Sequence, residues 1–120
     1  MKNSKKFILV LIMGLIVLFP SCTDNGSNEI DAPPCIIDII ESIKNEVVRN
    51  PPTQVWKWEA GDAIYYYITS DCCDQYNNLF NESCQIVCAP DGGITGNGDG
   101  NCPDFNGDIE KTLIWEDDRK

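Results

Sequence analysis

The chain has 120 residues, 42% of them hydrophobic, with no histidine and a formal net charge of −10. That length allows one small domain rather than several. Without histidine the usual general base for a serine or cysteine nucleophile is missing, and so acidic a chain repels nucleic acid.

The first residues read as an address. Lys2, Lys5 and Lys6 form a positive start, and Phe7 to Phe19 is an uncharged apolar run. That run is shorter than the about 20 residues needed to cross a bilayer as a helix, so a signal peptide over residues 1–21 is predicted. The step from Ser21 to Cys22 resembles the lipobox of bacterial lipoproteins, with Phe19 and Pro20 in place of the common leucine and small residue. The resemblance implies that Cys22 is acylated, by palmitate among other chains, and becomes the mature N-terminus. The expected location is the cell envelope, lipid-anchored at the outer membrane or cell surface, with the lipid bilayer as first partner. Three of the nine basic residues leave with the signal and no acidic one does, so the mature chain carries −13.

Residues 22–34 are polar, rich in turn formers and end in Pro33-Pro34, which predicts a flexible tether. A single disulfide-rich domain over 35–118 follows. It keeps six cysteines: Cys35, Cys72, Cys73, Cys84, Cys88 and Cys102. An even number in a small exported domain implies three disulfides, whose pairing stays open. Bonding adjacent Cys72 and Cys73 to each other strains the backbone, so they are expected to reach toward different elements. Zinc fits poorly, because the cysteine spacings are not paired C-x2-C knuckles.

Cys35 to Val48 places Ile36, Ile39, Ile40, Ile43 and Val47 at helical spacing, and Asn50-Pro51-Pro52 stops the helix. In VWKWEAGDAIYYYIT, Gly61-Asp62 is a two-residue hairpin signal. It sets Trp58 opposite Tyr65 and Trp56 opposite Tyr67, all four on one face. That face carries no charge, so it is predicted to pack on the helix. An exposed platform for stacking sugar rings is the alternative. Asp71 to Asn77 reads as a polar bend, and Leu79-Phe80 and Gln85 to Ala89 as a second hairpin around Asn81-Glu82-Ser83. Pro90 to Asp108 is a long Gly/Asp-rich loop pinned by Cys102. Ile109 to Glu116 is a last strand with Ile109, Leu113 and Trp115 on one side.

Two site hypotheses attach to the loop. Asn97, Asp99, Asn101, Asp104 and Asp108 offer oxygen ligands at EF-hand-like spacing, and Ca²⁺ is the one cofactor they suit. Against this, position six is Cys102 rather than glycine, and no flanking helices are predicted. Secondly, VCAPDGGITGN faintly resembles a segment of Kazal protease inhibitors, without that family's cysteine spacing. No nucleophile elbow and no phosphate-binding glycine loop occurs, and the chain is read as no enzyme.

CCDQYNNLF, CQIVCAPDGG, ITGNGDGNCPDF and the closing LIWED together resemble an uncharacterised family of small Bacteroidota lipoproteins. That resemblance implies export and lipidation and supplies no catalytic residue. The expected fold is α+β, one N-terminal helix packed on a small antiparallel sheet of four or five strands, stapled by disulfides. The expected role is a binding or structural module of the envelope with a protein or glycan partner. A disulfide-rich protease inhibitor and a weak calcium-binding module are the alternatives.

Overall fold

A computed structural model describes residues 29–105 and 107–120. The signal segment, Cys22 and the tether as far as residue 28 lie outside the described residues. The described residues form one helix, α1 (Pro34–Lys44), and five strands: β1 (Gln54–Ala60), β2 (Ala63–Ile68), β3 (Tyr76–Asn81), β4 (Ile86–Gly92) and β5 (Ile109–Glu116). They pair antiparallel in the order β4-β3-β2-β1-β5. The α+β expectation therefore holds, with five strands.

Pro33 caps α1 in extended conformation and Pro34 opens it, where a missing N–H costs nothing. Ile36, Ile40 and Ile43 recur along one face and are buried. The helix ends at Lys44 rather than at Val48. Asn45 N–H and Glu46 N–H donate to Ser42 O and Ile43 O, which tightens the last turn. Arg119, from the far end of the chain, then donates to Ile43 O (3.0 Å), Lys44 O (2.6 Å) and Glu46 O (3.0 Å). With its terminal carbonyls taken, the helix stops, and Val47 is left 88% exposed.

The β1–β2 register is the expected one, with Ala60 opposite Ala63, Trp58 opposite Tyr65 and Trp56 opposite Tyr67. Gly61 has φ +61° and Asp62 does not share a positive φ, as a type II′ turn requires. The face chosen by the helix is the opposite of the predicted one. Ile36, Ile40 and Ile43 pack with Val55, Tyr66 and Ile68, not with the four aromatics. Lys57 shares that face without harm, because its stem lies along it while Nζ reaches out to Asp31 (2.7 Å). A charge in the pattern thus did not mark the wet face.

On the aromatic face, residues of the segment between β4 and β5 pack around Trp58 and leave Trp56 and Tyr67 half-buried. Trp58, Leu79 and Cys88 form a second core there, with Cys102, Phe105 and Ile109 packed against it. β5 also departs from simple alternation. Val55 pairs with Trp115 and Trp56 with Leu113, so Ile114 is an extra residue in a bulge. Trp115 is thereby moved from the side of Ile109 to the helix-side core.

Among the described residues two disulfides close rather than three. Cys35–Cys84 ties the start of α1 to the β3–β4 turn, and Cys88–Cys102 ties β4 to the segment covering the aromatics. By loop-closure entropy they stabilise by about 4 and about 3 kcal/mol. Cys72 and Cys73 remain free and exposed. They lie on the turn before β3, whereas the other four cysteines already face one another in pairs.

Candidate functional site

β1, β2 and β5 run side by side, so strand pairing with alternation brings Trp56, Trp58, Tyr67 and Lys111 to one face. The end of β4 adds Asp91 across β3. Together these five side chains line an open cleft of about 180 Å³. Its walls are aromatic. Trp58 and Tyr67 stack with ring centroids 5.2 Å apart and an interplanar angle of 16°. Lys111 Nζ lies 3.9 Å from the centroid of the Trp58 ring, a cation–π contact. Phe105 braces the assembly from behind, edge-on to Trp58 at 6.3 Å and to Tyr65 at 5.5 Å. Trp56 is half-buried, and its Nε1–H donates to Gln54 Oε1 (3.1 Å), which fixes the indole.

Asp91 is the cleft's acceptor. Tyr67 OH donates to its Oδ1 and Oδ2 (2.8 and 2.9 Å), and Asn77 Nδ2 donates to Oδ1 (2.5 Å). Asn77 is itself held by Ser70 N–H, which donates to its Oδ1 (2.7 Å). Burial, then the hydrogen bond to Asp91, pushes the Tyr67 hydroxyl well above the ordinary phenol value. Tyr67 therefore stays a neutral donor, and the carboxylate keeps lone pairs for a further donor.

Trp58 is buried and already engaged by Tyr67 and Lys111, so the half-buried Trp56 is the ring left to meet a flat, hydroxyl-bearing ligand, with Asp91 as the acceptor at its edge. A larger groove of about 460 Å³ opens between the end of α1 and the β2–β3 edge. Its Arg49 and Glu46 already pair with each other at 2.6 Å, which leaves little to recognise a ligand.

The oxygen ligands considered for calcium, Asn97, Asp99, Asn101, Asp104 and Asp108, lie on the segment between β4 and β5. Asp99 turns inward on its own loop, where Asn101 N–H donates to Oδ1 (2.9 Å). That backbone hydrogen bond holds its carboxyl below the ordinary value. Asn97, Asn101, Asp104 and Asp108 are exposed. Among the described residues, no group of three or more Asp, Glu, Cys or His side chains is placed to hold a metal ion. Of the cleft residues, Trp56, Trp58 and Tyr67 were legible from strand alternation. Asp91 and Lys111 were missed. Lys111 keeps step with Ile109 and Leu113, but only the β1–β5 pairing sets it opposite Trp58.

Residues 41–117 match the family model described as Domain of unknown function (DUF6970). No curated protein and no solved structure matches the chain.

Proposed function

We propose, for a chain that belongs to the family described as Domain of unknown function (DUF6970), that it is a lipid-anchored envelope module binding a neutral saccharide in the aromatic cleft. One observation carries this reading: three aromatic side chains, one carboxylate and one lysine converge on a single open cleft. Sugar rings present apolar C–H faces and polar edges, and the half-buried Trp56 with Asp91 offers a matching stacking face and edge acceptor. The expected net charge of −13 on the mature chain disfavours anionic ligands, which makes a neutral saccharide the better fit. Tyr67 and Asp91 are hydrogen-bonded to each other in the cleft, and binding rather than catalysis is the role we assign.

The lipid anchor is part of the same proposal and rests on the Lys2–Cys22 segment and its resemblance to small Bacteroidota lipoproteins. Protease inhibition draws less support. Ile94 is 91% exposed, but Gly96 N–H donates to Gly93 O (3.1 Å) and folds that stretch into a tight turn. An inhibitor must offer its protease an extended segment instead.

Titration with a panel of neutral oligosaccharides, followed by tryptophan fluorescence and amide NMR shifts, tests the cleft. Binding should shift Asp91 and Lys111 signals and weaken about tenfold in Trp56→Ala, the ~1.4 kcal/mol of one lost stacking wall. Equal binding by Trp56→Ala and wild type overturns the assignment. The anchor is tested separately. Cys22→Ala should move the chain from the membrane to the soluble fraction, and unchanged retention without acyl label counts against lipidation.

A further inference from the structure

Cys72 and Cys73 are the thiols that the fold leaves open. Cys35–Cys84 and Cys88–Cys102 are closed, so among the described residues each open thiol has only its neighbour as a cysteine partner. Both are exposed, on a tight turn in which Gln75 N–H donates to Cys72 O (3.1 Å). They line an open cavity of about 300 Å³ with Pro51, Thr69, Asn77 and Gly92, so a small thiol reagent reaches them. A small domain with two closed disulfides belongs where thiols are oxidised by exchange with other disulfides. Two adjacent surface thiols meet the same oxidant.

We propose that Cys72 and Cys73 are a redox modification site, closing reversibly into a disulfide between adjacent residues with an external disulfide as oxidant. The Cys73 thiolate attacks one sulfur of R–S–S–R, forms a mixed disulfide and expels RS⁻, which takes up the proton Cys73 lost. The Cys72 thiolate then attacks the Cys73 sulfur and expels the second RS⁻, which takes up the proton of Cys72. Two protein thiols and one external disulfide become one protein disulfide and two external thiols, and two electrons pass to the oxidant. Hydrogen bonding by Cys73 pushes the Cys72 thiol above its ordinary value, which suits Cys72 to the second step.

The bond is labile by construction. Neighbouring Cα atoms sit about 3.8 Å apart, below the roughly 4.4–6.8 Å that unstrained disulfides prefer. A strained, exposed bond is the first to be reduced, so this pair switches under conditions that leave the two structural bridges intact.

The test equilibrates the purified chain with mixtures of oxidised and reduced glutathione, quenches in acid, alkylates with N-ethylmaleimide and reads masses. Across the oxidising mixtures, the peptide carrying both cysteines should lose the mass of two hydrogens and take no label. It should recover both labels at a ratio that leaves Cys35–Cys84 and Cys88–Cys102 closed. Cys73→Ser should stop at a glutathione adduct on Cys72. Two labels at every ratio, stable glutathione on both cysteines, or a covalent dimer through this turn each overturns the proposal.

Discussion

Gly98 shows how one residue decides whether the aromatic core is covered. Gly98 N–H donates to Gly92 O (3.1 Å) and Asp99 N–H to Ala89 O (3.0 Å), so this stretch lies directly on β4. Gly98 has φ +72°, and a Cβ there would stand 2.0 Å from Ala89 O and 2.7 Å from Pro90 C. Those neighbours are backbone and cannot rotate away. Gly98→Ala therefore combines a left-handed φ, itself costing about 1–2 kcal/mol, with a clash that lifts the segment off β4. We expect a clearly lower urea midpoint and greater exposure of Trp58, read as a red shift of tryptophan emission. An unchanged midpoint and emission would show that the segment docks without this contact.

At the scale of elements, the most informative joint is between α1 and the C-terminal end of the chain. Asp117 is buried, its N–H donates to Thr53 O (2.9 Å), and its carboxylate accepts from Arg119 Nε (2.8 Å) and Nη2 (2.7 Å). Arg119, so held, caps the last carbonyls of α1. The Arg119 hydrogen bonds hold the Asp117 carboxyl below its ordinary value. A carboxyl lowered in the folded state contributes stability that is fully present above its unfolded value, about 3.9. That contribution is lost as pH falls through the lower folded value. Wild type should therefore lose stability in acid below about pH 4. Asp117→Asn should be less stable at neutral pH and show a shallower acid limb in urea unfolding measured across that range. Parallel acid limbs in the two proteins would remove Asp117 from the account.

At the scale of the whole molecule, two cores lie on opposite faces of one sheet, each stapled by one disulfide. The acidic surface raises the question of a cation that would relieve self-repulsion. Asp99 is committed to its own turn, so we expect about 10 mM calcium, above the roughly 10⁻⁴–10⁻³ M constants of extracellular modules, to leave the melting midpoint where EDTA leaves it. A shift in wild type that Asp99→Ala abolishes would support a calcium site on this segment. Equal shifts in both would reflect general screening of the charge.

Local features were legible in the sequence where local physics decides them. Pro33-Pro34 and the isoleucine spacing mark α1, and Gly61-Asp62 sets the β1–β2 register to the residue, because turn geometry and strand period act over a few bonds. Strand alternation also grouped Trp56, Trp58, Tyr65 and Tyr67 on one face. What alternation cannot say is which face of a sheet a helix will choose when both carry apolar residues. That was decided by distant partners: Cys84 drawing the start of α1, Arg119 ending it, and Cys102 with Phe105 closing over the tryptophans. The bulge at Ile114, the two open thiols and the meeting of Asp91 with Lys111 are of the same kind. Each depends on pairings between strands and cysteines far apart in the chain, whose competing arrangements differ in packing rather than in any local signal, so only the tertiary structure chose among them.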